Sequence, residues 1–109
     1  MAQKQTAGRD RLGGFAPQFA ALNDDVLFGQ VWSREEELSP KLRSMITIAA
    51  LMSGGNFEQL IHHLQLGKAN GITQEEIVEI LTHLSFYVGW PKAWSALMQA
   101  KEVYEGKEE

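Results

Sequence analysis

Asn70-Gly71-Ile72-Thr73-Gln74-Glu75-Glu76 is the stretch that decides the fold of this 109-residue chain, because it ends one helix and begins the next. Gly71 suits the left-handed position at which helices commonly stop. Thr73 and Glu76 have the spacing of a capping box, in which the threonine oxygen accepts the third amide of the new helix and the glutamate reaches back. The stretch therefore predicts two consecutive helices joined by a tight turn.

Apolar residues continue at helical spacing on both sides of this turn. Those before it predict a helix over about residues 56–70 and are Phe57, Leu60, Ile61 and Leu64. Those after it form the buried face of a helix that opens at Thr73, and they are Ile77, Ile80, Leu81, Leu84 and Val88. Gly89-Trp90-Pro91 breaks that helix, since a proline restricts the residue before it. The last helix, from about Pro91 to Tyr104, has a predicted apolar face of Trp94, Leu97, Met98 and Tyr104.

Two further helical regions precede these. Ser39 and Pro40 suit the N-cap and first position of a helix that Gly54-Gly55 ends, and its apolar residues on most sides predict burial among other helices. An earlier region from about Pro17 to Gly29 is divided by Asn23-Asp24-Asp25. The whole pattern predicts an all-α protein of five to six helices.

Composition limits the classes of partner. The net charge of −4 argues against nucleic acid, which attracts basic surfaces. No apolar run approaches the roughly 20 residues that span a membrane. Residues 1–14 lack the apolar core of a secretion signal, so we expect a flexible tail, a single domain over residues 15–109 and a cytoplasmic location.

Three tryptophans and five phenylalanines exceed what a small core readily hides, which favours an oligomer; exposed or site-lining aromatic residues are the alternative.

One face of the helix over residues 56–70 carries Asn56, Gln59, His63, Leu66 and Asn70. This face lies beside the apolar stripe and predicts the lining of a pocket, with His63 as the group that titrates near neutral pH. A half-exposed histidine with a structural hydrogen bond is the alternative. His62 points about 100° away, into solvent. No metal site is predicted, because adjacent histidines diverge on a helix and His-x-x-x-His spacing is absent.

The next helix carries a second polar group of residues. Glu79 and His83 lie one turn apart and fit either an acid–base pair or an ordinary polar face. Tyr87 follows on the face of His83, and with Trp90 it predicts one wall of an aromatic pocket; core or interface packing of Trp90 is the alternative. No serine has a nucleophile motif around it, and Gly54-Gly55 lacks the Gly-Lys-Thr of a phosphate loop.

Four segments, in this order and spacing, resemble the carboxymuconolactone decarboxylase family over about residues 15–98. They are Leu38-Ser39-Pro40-Lys41-Leu42-Arg43-Ser44, His63 with Gly71 eight residues later, Thr73-Gln74-Glu75-Glu76-Ile77, and Tyr87-Val88-Gly89-Trp90-Pro91. The resemblance implies an AhpD-like all-α fold, usually assembled as trimers or hexamers. It also implies one of two chemistries.

The peroxidase branch of that family uses two cysteines placed before its histidine. Counting back from His63, those positions hold Asn56 and Gln59, and the glutamate that this branch has after its arginine is Ser44 here. Because the chain contains no cysteine, no residue can supply a thiolate, and thiol peroxidase activity is excluded.

The decarboxylase branch resembles the chain better, since it keeps Arg43-Ser44, His63 and the Tyr-x-Gly-x-Pro turn. Its reaction removes a carboxylate from a small unsaturated lactone in aromatic compound catabolism and needs no metal or organic cofactor. The resemblance implies that His63 donates the proton and that Arg43 holds the carboxylate, with a helix-anchoring salt bridge as the alternative role of Arg43. The residues expected to contact the substrate are Asn56, Gln59, His83, Tyr87 and Trp90.

One position departs from the decarboxylase pattern. These enzymes commonly have a glutamate four residues before the histidine, where this chain has Gln59, and Glu58 is turned by about 100°. From the resemblance as a whole we nevertheless expect a decarboxylase-like homo-trimer or hexamer that acts on a small carboxylated lactone or related ring compound. A non-catalytic small-molecule-binding or scaffold protein of the same fold is the alternative, and a module that binds another protein through its aromatic surface is a third.

Overall fold

Helices occupy most of residues 4–106, the part of the chain that the computed structural model describes, and no strand occurs within that range. This confirms the all-α class. The chain forms two compact units, of which the first ends at Ser39 and the second begins at Pro40. The prediction of one domain over residues 15–109 stays a prediction.

The first unit contains two short helices followed by an eleven-residue π-helix: α1 (Ala7–Leu12), α2 (Pro17–Ala21) and the π-helix (Leu22–Trp32). Pro17 opens α2 at a position where its missing N–H is not needed. The sequence predicts a break at Asn23-Asp24-Asp25. The chain instead changes there from α-helical to π-helical hydrogen bonding and continues to Trp32, whose ring stacks on that of Phe28 at 5.4 Å.

Asp24 explains why α1 lies within the segment that the sequence predicts as a tail. Its carboxylate is buried and accepts the backbone N–H groups of Gly8 at 2.9 Å and Arg9 at 3.0 Å. Burial raises the pKa of Asp24, but hydrogen bonds from Asn23, Arg9 and Gly8, together with the charge of Arg9, outweigh it and leave the pKa below its ordinary value. The Arg9 guanidinium also pairs with both carboxylate oxygens of Asp25. Residues 1–3 of the predicted tail lie outside the described residues.

The second unit contains four helices whose ends agree with the predicted ones to within one or two residues. They are α3 (Pro40–Gly54), α4 (Phe57–Ala69), α5 (Gln74–Val88) and α6 (Trp90–Glu105). We call them the four-helix unit. The predicted capping box of α5 is confirmed, since Thr73 Oγ1 accepts the N–H of Glu76 at 3.1 Å and the Glu76 carboxylate accepts the N–H of Thr73 at 2.9 Å. Glu76 also pairs with Lys41 at 3.0 Å, which ties the cap of α5 to α3.

Each connection within the four-helix unit contains one glycine in the left-handed region, where other residues are strained. Gly55 has a φ of 73°, Gly71 of 104° and Gly89 of 103°. The connections are correspondingly short, with two residues between α3 and α4, four between α4 and α5, and one between α5 and α6. As a result α3 packs against α4, and α5 against α6, as antiparallel neighbours.

The core of the four-helix unit combines large aliphatic residues from α3 to α5 with alanines from α6. The predicted stripes supply Leu60, Leu64, Ile77 and Leu81, and α3 adds Ile48 and Met52. On α6 the prediction is partly wrong: Leu97 and Tyr104 pack against the core, but Trp94 is 65% and Met98 56% exposed. Its fully buried residues are Ala93, Ala96 and Ala100, because small side chains let α6 approach its neighbours closely.

Candidate functional site

The predicted polar face of α4 begins in solvent and ends against α3. Asn56, the N-cap of the helix, and Gln59 are exposed. His63 and Asn70, further along the same face, are half-buried. The face therefore becomes less accessible towards the C-terminal end of α4, since the neighbouring apolar stripe packs into the core.

His63 lies where burial changes its acid–base chemistry. Burial lowers the pKa of His63 from its ordinary value of 6.5, and the charge of the adjacent His62 lowers it further. His62 is exposed, as its position on the helix predicts. At neutral pH the His63 imidazole is therefore mainly neutral, and when protonated it is a stronger acid than an ordinary histidine.

Asn70 turns its side chain towards α3. Its Nδ2 donates to Ser44 Oγ at 3.0 Å and to the carbonyl oxygen of Pro40 at 3.5 Å. Ser44 is fully buried, and Gly67 of α4 lies opposite it, at a point where a Cβ would come within 2.9 Å of the Ile72 side chain. Small residues thus let the two helices approach, and Asn70 joins them.

These contacts place Arg43 and His63 on facing helices at different levels. The helices are antiparallel, since a two-residue turn joins them. Asn70 is level with α3 between Pro40 and Ser44. Because His63 precedes Asn70 on the antiparallel helix, it is level with a point on α3 about six residues beyond Arg43. At about 1.5 Å per residue, Arg43 and His63 lie about 9 Å apart along the helix axes. The two predicted catalytic residues therefore lie at different levels of the α3–α4 contact, with Arg43 near the start of α3 and His63 at the middle of α4. Arg43 is half-buried.

The predicted aromatic wall consists of two ring pairs. The rings of His83 and Tyr87 contact each other at a tilt of 33° with centroids 5.1 Å apart, which confirms that they share one face of α5. Trp90, the first residue of α6, packs edge-on against Phe86 at 6.0 Å. The sequence does not single out Phe86 as a site residue. Because Tyr87 is 75% and Trp90 59% exposed, this cluster forms a surface.

A cavity of about 330 Å³ lies between α5 and α6, and sequence reasoning missed it. Its lining residues include Ile77, Val78, Trp94, Leu97, Met98, Ala100 and Tyr104, and none of the predicted site residues. The small side chain of Ala100 leaves space between the larger ones. Its apolar lining on α6 includes Trp94, Leu97, Met98 and Tyr104, which the sequence predicts as the apolar face of that helix.

Residues 4–106 contain neither a metal-binding cluster nor a membrane-spanning helix. Within that range no three His, Asp or Glu side chains come close enough together to hold a metal ion. No helix there combines the length and apolar character needed to cross a bilayer.

Comparisons with known proteins give a consistent result. Residues 17–102 match the family model described as Carboxymuconolactone decarboxylase family. The chain is also similar to the 4-carboxymuconolactone decarboxylase of Acinetobacter baylyi, with 34% identity over 96 residues that cover 88% of this chain and 71% of that protein. The family match includes both Arg43 and His63.

Proposed function

The chain belongs to the carboxymuconolactone decarboxylase family, and from this membership we propose that it decarboxylates a small carboxylated lactone or related ring compound without a metal or organic cofactor. The name of the Acinetobacter baylyi relative states such an activity for that protein. The observation that carries the proposal is the half-buried His63 with its lowered pKa, inside the matched segment.

The proposed reaction breaks the bond between a ring carbon and its carboxylate, and carbon dioxide leaves. The electron pair moves through the ring double bond into the lactone carbonyl, which holds the negative charge as an enolate. A proton then adds to a ring carbon and restores the carbonyl. Because the substrate itself delocalises the electrons, the protein has to hold the carboxylate, exclude water and supply one proton.

His63 is the proposed proton donor and Arg43 the proposed carboxylate-binding residue. An imidazolium donates its proton more readily when its pKa is low, although it is then populated only at lower pH. A guanidinium binds a carboxylate through two parallel hydrogen bonds. Arg43 and His63 lie about 9 Å apart along the axes of the facing helices α3 and α4, at about 1.5 Å per residue. The proposed contacts to the rest of the substrate are Asn56, Gln59, His83, Tyr87 and Trp90.

The direct test is carbon dioxide release from γ-carboxymuconolactone by the purified protein, with no added metal or thiol. We expect His63→Ala to lower kcat by about 100-fold or more, the usual contribution of general acid catalysis. His62→Ala, an exposed neighbour, is the matched control and should stay within severalfold of the unmodified protein. Full turnover by His63→Ala would refute the role of His63, and no release by the unmodified protein would refute this substrate.

A non-catalytic binding or scaffold protein of the same fold is the second candidate, and Gln59 favours it. Gln59 stands where the decarboxylases that the sequence resembles commonly have a glutamate, and an amide cannot exchange a proton as a carboxylate does. This candidate predicts that γ-carboxymuconolactone raises the Tm while no carbon dioxide forms. Product formation would exclude it.

We also propose that the protein acts as a homo-trimer or hexamer in the cytoplasm. Large aromatic side chains that remain uncovered in the single chain support self-association, among them Phe86 at 78% and Trp94 at 65% exposed. The net charge of −4 supports the expectation that nucleic acid is not a partner.

A further inference from the structure

One polar side chain links α3 and α4 next to the proposed site. The Asn70 amide donates to Ser44 Oγ at 3.0 Å and to the Pro40 carbonyl at 3.5 Å. Ser44 directly follows Arg43, and Asn70 lies seven residues after His63, which is about two helical turns on the same face. We propose that Asn70 is a positioning residue, which holds α3 against α4 at the end opposite their two-residue turn and thereby fixes the separation of Arg43 and His63.

The two-residue turn already holds the other end of the helix pair, so Asn70 acts at the end where the chain does not join α3 to α4. Gly67 lets α3 approach there, and the aliphatic side chain of Ile48 packs beside it. Loss of the Asn70 bonds would let the two helices move apart at this end, which would expose His63 and change its distance from Arg43.

The amide of Asn70 holds this end of the helix pair because its hydrogen-bond partners are directional and fixed in place. Ser44 is 0% exposed, so water cannot readily replace Asn70 at its hydroxyl. Pro40 is the first residue of α3, and its carbonyl marks the start of that helix. Asn70 is the C-cap of α4, held by N–H bonds to the carbonyls of Leu66 and Lys68. The pair of bonds therefore ties the start of α3 to the end of α4.

The catalytic consequence rests on the proposed function, but the positional one can be measured without turnover. The test compares Asn70→Ala, Ser44→Ala and the double variant with the control Thr73→Ala, which removes the cap of α5 three residues further on. Ser44→Ala replaces a buried hydroxyl group with a hydrogen atom, and we expect this variant to fold. The pKa of His63 is read from imidazole NMR titrations, with His62→Gln and His83→Gln used to assign the signals, and kcat and KM are measured with γ-carboxymuconolactone.

We expect Asn70→Ala to move the pKa of His63 towards 6.5 and to lower kcat about tenfold or more, since misplacement by about 1 Å is already costly. KM should change by less than about threefold. The double variant should be no worse than Asn70→Ala alone, because both changes break the same link. Thr73→Ala should leave the His63 pKa and kcat unchanged.

Three results would overturn the proposal: an unchanged His63 pKa in folded Asn70→Ala or Ser44→Ala, additive effects in the double variant, or equal effects from Thr73→Ala. The last would show general destabilisation. If the unmodified protein releases no carbon dioxide, the proposed function fails, and the NMR titrations alone decide whether Asn70 positions His63.

Discussion

His63 combines two conditions that a proton-donating residue needs, contact with the protein interior and partial access to solvent. Burial and the charge of His62 lower its pKa, and the half-buried position still allows protons to exchange. The same residue therefore links the proposed chemistry to the stability of the fold.

The pH dependence of stability should reveal this link. Because the pKa of His63 is below 6.5 in the folded state, the unfolded chain takes up the proton first as pH falls. The stabilising contribution is present above pH 6.5, is lost as pH falls from 6.5 to the folded-state pKa, and then levels off. Urea unfolding at pH 7.5 and 5.5 should show a smaller loss of stability for His63→Gln than for the unmodified protein. His62→Gln is the control, and parallel pH profiles for all three proteins would contradict the prediction.

The sequence identifies the site residues by type and helical face but not by what they contact. It separates His63 from His62 and pairs His83 with Tyr87, because both conclusions depend on helix geometry alone. It places Asn70 on the face of His63 without showing that its amide turns to Ser44. That bond depends on how two helices pack, which spacing along one helix does not contain.

Among the helices, α5 has the best-defined start, and its capping box makes a measurable prediction. Thr73→Ala removes the acceptor for the Glu76 N–H and should cost about 1 kcal/mol of unfolding free energy. Thr82→Ala makes the same substitution at an exposed position inside α5 and should change stability by less than about 0.5 kcal/mol. Equal losses from the two substitutions in chemical denaturation would argue against the cap as the cause.

The ends of α3 to α6 are predictable because glycine, proline and the capping box act within a few residues of the chain. The structures that the sequence misses are those that depend on distant partners. Helix α1 relies on the carboxylate of Asp24, and the buried alanine face of α6 relies on the close approach of its neighbours. The change to a π-helix at Leu22 likewise follows no local signal that we recognise.

For the whole molecule, uncovered apolar side chains predict self-association. Trp94 and Met98 lie one turn apart on α6 and are both more than half exposed. Trp94→Glu should lower the average mass in sedimentation velocity at micromolar concentration, because a charge buried at an interface is costly. Ser95→Glu, the adjacent exposed residue, is the control and should keep the mass of the unmodified protein. A monomeric unmodified protein would refute the proposed trimer or hexamer.

The short glycine turns of the four-helix unit also bear on how fast it reaches its native state. The connections of two residues and of one residue make packing partners of α3 with α4 and of α5 with α6, so many contacts close small loops. Helical proteins rich in such local contacts fold in microseconds to milliseconds, much faster than proteins built on distant pairings. A newly made chain would thus complete this unit early, and its exposed apolar side chains would be presented by a folded protein.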